Sequence, residues 1–427
     1  MADPVHAAPE ELEAELPPPR RARATALLER RDFRRLYTAI AASELGDALH
    51  YIALMWVALE AGGPLGVVAV RLADSVPALI SGLHGGLAAD RWDRRKLMIA
   101  ADLTRAVVLV PVAVGGLTGH LPIWGLVLAA FALATATCYF APAYGAVVPA
   151  LVGRENVQQA NALVQATAQA LSIGGWAIAA ALLAVLPISV FFAANAATFF
   201  VSAALIAGIG RAAGRVGHAE RPRLREGFAA LRPRPALAAG VAVLGAAVTI
   251  SAGTWIAGVP TLVRDTLGQG AGGFSLVMAG YAVGSIAGGI ALARFPVRRK
   301  ALVSMLAWVL YLPAYGLMAL GGTLGIAIAG AFAAGLGQGS SIVLLTAAAQ
   351  EDVPDALLGR VLGLISLVHR GAHATGLILV APLFAVVEPR SVFAGAAIAL
   401  PAVAVAGALT ARAAAARARG TDRIRRS

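Results

Sequence analysis

Glu44, Asp47 and His50 recur at intervals of three inside an apolar stretch, which puts two carboxyls and an imidazole on one broad side of a helix. An ionisable group at mid-membrane costs roughly 2.5–3.5 kcal/mol or more, so each is expected to serve function. Apart from a protonated His50, no cation stands within a helical turn of Glu44 or Asp47. Desolvation and mutual repulsion then favour a protonated carboxyl, the property a proton carrier needs. Proton coupling is assigned mainly to Asp47 and secondarily to Glu44, with His50 beside them; the alternative is fixed pairing of Asp47 with Arg71 or Arg105 across helices. Arg71 and Asp74, and Asp102 and Arg105, are each three apart and able to neutralise one another as structural or gating ion pairs. His369 and His373, four apart with Arg370 beside them, offer either a proton relay or imidazoles bonded to neighbouring helices. Zinc would need further ligands, and no metal site is expected.

Neutral polar residues trace a second pattern. Gln158, Gln165, Gln169, Ser172 and Trp176 form a stripe at helical spacing that a lipid-facing surface would not tolerate, so they line a pathway or bond between helices. Trp56, Asn195, Trp255, Tyr281 and Gln338 join them as candidates for a cavity that takes a bulky amphipathic solute. Trp308, Tyr311 and Tyr315 are expected at a membrane interface or in packing. Gly280, Gly284 and Gly288, and again Gly335 and Gly339, are spaced for close helix contact.

The elements that must hold these groups are membrane spans. Of 427 residues 59% are hydrophobic and 14% charged, with a mean hydropathy of +0.76, too apolar for a soluble globular chain. Stretches of the length that crosses a ~30 Å hydrocarbon layer lie at 36–59, 64–88, 97–117, 121–141, 162–186 and 187–209. Six more lie at 236–260, 273–293, 301–320, 323–347, 361–386 and 391–411. The two sets are copies: GGLAADRWDRRK from Gly85 returns as GGIALARFPVRRK from Gly288, and VPALVGR from Val148 as VPDALLGR from Val353. The offsets stay between 203 and 206, as in two diverged halves.

Basic residues set the orientation, because Lys and Arg near span ends stay cytoplasmic. Of the 35, only Arg264 and Arg390 fall on one side, Arg71, Arg105 and Arg370 lie within spans, and the rest share the other side. Both termini are therefore expected in the cytoplasm, with the protein in the cell (inner) membrane. The formal charge of +12 reads as topology and lipid attraction, with no nucleic-acid partner expected. Residues 1–19 are acidic and end in three prolines, so no cleavable signal is expected, and that tail is expected to be disordered. The single cysteine, Cys138, has no intrachain partner and reads as packing.

Absences narrow the energy source. Neither lysine, Lys96 or Lys300, follows a glycine as in an ATP-cradling loop. No HExxH pair, GxSxG elbow or cysteine cluster marks an enzyme, and no cofactor is expected.

The phrase from Gly85, with Gly86, Asp90, Arg91 and Arg94, resembles the signature of the major facilitator superfamily between spans two and three. In the second copy Ala293 stands where Asp90 does. Within that superfamily the chain resembles the branch of siderophore exporters and macrolide and multidrug efflux proteins, on RDFRRLY before span one, SELGDAL inside it, DLTRA in span three and ENVQQANAL before span five. Where drug antiporters often carry a Gly-Pro-rich motif in span five, this chain reads GGWAIAA from Gly174, with Trp176 at the proline position.

The resemblance implies two pseudo-symmetric six-helix bundles that rock about a central cavity. It also implies a latch in which Asp90 meets the start of span eleven near Gly359 and Arg360, with Arg94 in a charge network beneath. A carboxylate at the negative end of its own helix needs such a partner. The sequence thus gives an all-α membrane protein of twelve transmembrane helices. Its parts are a cytoplasmic tail at 1–35, bundles at 36–209 and 236–411, a basic connector at 210–235 and a basic tail at 412–427. The expected function is proton-coupled export of a hydrophobic or amphipathic small molecule, such as a drug, a siderophore or a secondary metabolite, by a monomer in the bilayer. The alternatives are an uptake symporter and a transport-inactive sensor or scaffold.

Overall fold

The computed structural model describes residues 24–80, 84, 88, 91–153, 156–183, 185–210, 224–295 and 297–426. Helices and short connections make up the described residues, with no strand among them. α1, Arg31–Ile80, is broken at Gly63, whose φ of 60° suits glycine, and Pro64 follows to start the next segment. α2, Arg94–Thr118, is capped by the Asp93 carboxylate, which accepts the Lys96 N–H at 3.1 Å, and closes on Gly119 at φ 70°. α3 (Ile123–Val152), α4 (Val157–Leu182) and α5 (Ser189–Ala207) follow.

The connector then supplies a short helix the sequence did not announce, α6 (Leu224–Leu231), which packs on α12 (Asp355–Leu379). α7 (Pro235–Thr261) runs on through a π-helical turn at Leu262–Thr266 to α8 (Ala271–Arg294). A 3₁₀ turn, Ala307–Leu310, joins α9 (Lys300–Leu306) to α10 (Tyr311–Leu320). α11 (Leu324–Asp352) precedes α12, which leads through Ala381–Ala385 to α13 (Pro389–Arg426). α13 passes the boundary expected at 411 because the chain there is rich in alanine and arginine, both strong helix formers.

Ten helices among the described residues are long and apolar enough to cross a membrane. The protein is accordingly a multi-pass membrane protein. The sequence expects twelve spans. The first of the ten, Arg31–Pro77, takes both sides of the Gly63 break together, and the glutamine-bearing α4 is not among them.

α1 packs on α3, α4 and α5, and α2 on α3 and α5; α8 packs on α11, α7 on α12 and α13, and α10 on α11 and α13. Contacts of α4 with α8, and of α1 with α7 and the Ala381–Ala385 turn, join the first set of helices to the second. Arg264 Nη1 also donates to the Leu59 carbonyl at 2.7 Å, and Trp56 stacks on Phe274 with ring centroids 6.3 Å apart.

The aromatic column of the second set is interior. Trp308, Tyr311 and Tyr315 are buried and continue ring to ring into Phe393 and Phe384. Tyr315 donates to the Ser251 carbonyl and Tyr311 to Gln338 Oε1 at 2.9 Å. Of the two placements expected for these rings, packing is the one found. Gln338, expected in the cavity, is held by Tyr311 instead.

α8 and α11 approach closely at glycines. A Cβ on Gly335 would fall 1.9 Å from the Tyr281 carbonyl oxygen, and one on Gly284 2.0 Å from that of Phe332. Gly335→Val should therefore push backbone from backbone and cost about 1–3 kcal/mol or more, whereas Gly289→Val on α8, where an added Cβ meets nothing within 4 Å, should not. Melting temperatures of the two variants in detergent check this; equal losses would show that the contact is not close.

Candidate functional site

Gly46 lets α1 and α5 meet. A Cβ there would lie 2.4 Å from Asn195 Oδ1 and 2.2 Å from Thr198 Oγ1, so only glycine admits the Asn195 side chain. Asn195 Nδ2 then donates to Asp47 Oδ1 at 3.0 Å, one residue along. Gly175 does the same for α4, where a Cβ would lie 2.5 Å from that of Ala48.

Beside this contact lies a partly open cavity of about 180 Å³, lined by Asp47, His50, Tyr51, Arg71, Asp74 and Arg105 among others. Asp47 is exposed to it, while His50 is only 7% exposed, with its ring edge-on to Phe192. Glu44 is half-buried and makes no hydrogen bond or ion pair among the described residues.

The two arginines are engaged on their own helices. Arg71 pairs with Asp74 at 3.0 Å and lies over the Tyr51 ring at 5.6 Å. Arg105 pairs with Asp102 at 2.9 Å and sits between the rings of Phe140 and Phe199, 4.6 and 4.7 Å from their centroids. Cation–π contact replaces part of the hydration that the guanidinium loses. Asp102 is fully buried and its other oxygen accepts from Ser202 at 2.6 Å. Both ion pairs expected from spacing are thus present, and the cross-helix pairing of Asp47 with either arginine is not. Its close partner is the neutral amide of Asn195, which the sequence placed in the cavity lining.

Tyr51, which lines this cavity, is one of four aromatic residues that pair ring to ring. Trp176 stands 6.1 Å from Tyr51 and Trp255 4.6 Å from Tyr281, centroid to centroid. Tyr51 and Tyr281 are near enough to interact electrostatically, as are Arg71 and His373. His369 and His373 lie 5.2 Å apart, each with a buried Nδ1 lacking a partner, so neither is bonded at that nitrogen to a neighbouring helix. Gln165 and Gln169 are exposed on α4. Trp56 departs from the cavity expectation: it is 5% exposed, donates to Glu60 Oε1 at 2.7 Å, and is covered by Phe274.

Of the latch residues, Gly86 and Asp90 lie outside the described residues, as does the side chain of Gln158. Arg91 is exposed; Arg94 is buried and donates to the Ala146 carbonyl at 3.3 Å; Arg360 is half-buried at the start of α12. Sequence reasoning missed Ser202, Phe140 and Phe199, the groups that hold the Arg105 pair. Their signal is faint, a serine and two phenylalanines within apolar runs.

A family model described as "Transmembrane secretion effector" matches residues 22–422. The chain belongs to that family of major facilitator transporters. Among curated relatives it is 28% identical to an uncharacterized MFS-type transporter, YfiS, of Bacillus subtilis, over 38% of this chain and 39% of that protein. It is 28% identical to macrolide efflux protein A of Streptococcus pyogenes, over 36% of this chain and 38% of that protein. The chain thus spans well under half the length of the curated relatives it matches. The nucleoside transporter NupG superposes with a TM-score of 0.68 at 12% identity, covering 89% of this chain and 98% of that one. A bacterial homologue of the iron transporter ferroportin gives 0.64 at 17%, covering 88% and 98%. At such identities the likeness is one of fold. Membership places the chain in a family of multi-pass major facilitator proteins, with the bilayer as its surroundings.

In this chain the Asp102–Arg105 pair is closed from solvent, so removing one partner strands a buried charge. Arg105→Gln should lower stability by about 3–5 kcal/mol, and Asp102→Asn/Arg105→Gln should recover most of it. Denaturant unfolding in micelles reads both; a single variant as stable as the parent would contradict the buried pairing.

Proposed function

We propose that this transporter exports a hydrophobic or amphipathic small molecule in exchange for protons, with Asp47 as the main proton carrier and Glu44 and His50 assisting. The observation that carries this reading is the engagement of both arginines. Arg71 and Arg105 are each neutralised on their own helix. Asp47 is left with a neutral hydrogen-bond donor and an opening to the cavity. A charge so placed is costly, and taking a proton removes the cost, so the protonation of Asp47 couples to whatever rearranges its surroundings.

The aromatic rings of Tyr51, Trp176, Trp255 and Tyr281 support a flat, largely apolar cargo, with His369, His373, Gln165 and Gln169 as polar contacts. Export as the direction is supported by the partial likeness to macrolide efflux protein A. The scaffold in this reading is twelve spans in two six-helix bundles, 36–209 and 236–411, with α1 crossing twice and α4 as a glutamine-lined span. Both termini and the connector at 210–235 face the cytoplasm of the cell membrane, and the unit is a monomer. Gly86, Asp90, Arg91, Arg94 and Arg360 form the latch between conformations.

Liposomes with an imposed pH gradient and a panel of dyes, macrolides and siderophores test the proposal. Asp47→Asn should abolish gradient-driven transport while sparing expression and substrate binding. Unaltered coupling would sink the assignment, and solute accumulation in expressing cells would reverse the direction.

A further inference from the structure

The two copies of the basic phrase end differently, and the difference leaves cations without a partner. Arg94 and Arg95 recur 204 positions on as Arg298 and Arg299. In the first copy Arg95 Nε donates to the Ile206 carbonyl at 3.1 Å and its Nη2 to that of Ala207, while Arg94 is buried against the Ala146 carbonyl. These carbonyls close α5, where ordinary helical donors run out, and that of Ile206 also accepts from the Ile209 N–H at 3.0 Å. The position equivalent to Ala207 is Ala411, but there α13 continues to Arg426, so the carbonyl of Ala411 lies inside a running helix. The side chains of Arg298 and Arg299 are exposed and make no hydrogen bond or ion pair among the described residues.

Both arginines instead line a pocket of about 310 Å³ with Ala411, Arg412, Lys300, Glu351 and Asp352. Lys300 pairs with Glu351, and the Asp352 backbone carbonyl accepts from Arg234 Nε at 2.5 Å. Four cations thus face two carboxylates. α7 begins at the same wall, at Ala236, without a side-chain cap, so the positive end of its dipole adds to the field. Basic pockets between helix ends at a membrane surface suit phosphate head groups, and arginine's fork matches phosphate oxygens in pairs.

We infer that Arg298, Arg299 and Arg412 form a binding site for a phosphate-bearing anion, the head group of an anionic lipid or a soluble phosphate ester, between the start of α7, the end of α11 and the stretch of α13 around Ala411. The protein purified in non-ionic detergent can be titrated with short-chain phosphatidylglycerol, the matching phosphatidylcholine and glycerol 3-phosphate. The expected result is a preference for phosphatidylglycerol over phosphatidylcholine, weakened roughly tenfold or more in Arg298→Gln/Arg299→Gln. Arg31→Gln/Arg232→Gln removes the same charge from exposed positions outside the pocket and should change the affinity little. Glycerol 3-phosphate binding with the same dependence on Arg298 and Arg299 supports the site and assigns it to a soluble anion. Equal weakening in both double variants, or no binding preference in the parent for either phosphate probe, would overturn it. Unchanged melting of the ligand-free variants shows that a lost affinity is not a lost fold.

Discussion

A charge within an apolar span has no water to hold it, and the first half of this transporter is organised around that constraint. The most buried pair, Asp102 and Arg105, is met by each other, by the Ser202 hydroxyl and by two phenyl faces, while Arg105 Nε has no hydrogen-bond partner. Arg71 and Asp74 repeat the arrangement at the cavity edge, with Tyr51 as the aromatic face. Because both guanidinium groups are used in this way, Asp47 and Glu44 are the carboxyls left over. The paired and the unpaired carboxyls differ here in whether a cation on the same helix already answers them.

That distinction depends on how closely helices can approach. An amide on α5 reaches Asp47 only because Gly46 removes a Cβ that would collide with it, and α4 closes on α1 over Gly175. Similar contacts at Gly284 and Gly335 join α8 to α11. Backbone contact of this kind positions polar groups to within a hydrogen bond without using bulky side chains.

Much of the fold was legible because apolar length and basic flanks are strong signals. The break at Gly63, the interruption near Pro187 and the doubled phrases all mark real divisions of the helical chain. The ion pairs were legible for the same reason, since a spacing of three on a helix leaves little choice of partner. Less could be read where the partner lies on another helix. Nothing in one sequence says that Asn195 faces Asp47 rather than a solute, or that Gln338 is taken by Tyr311, because helix rotation is set by tertiary packing. α6 was hidden by its shortness, and the extension of α13 by a basic composition that also reads as a tail.

The duplication explains why the halves could diverge in chemistry while keeping one architecture. In the first copy α5 stops at Ala207, and its terminal carbonyls take up Arg95, with Arg35 donating to the Gly208 carbonyl beside them. In the second copy the equivalent helix does not stop, so the same basic phrase has no carbonyls to bind and turns outward. A helix terminus, a purely local feature, thus decides whether a repeated arginine is structural or available. The carboxylates are just as one-sided: Glu44, Asp47, Asp74 and Asp102 all lie in the first copy, where arginines hold the last two, and the second copy's corresponding spans carry none. Sequence symmetry therefore supplies the scaffold, and the breaking of that symmetry at helix ends and in buried charge gives each half its own work.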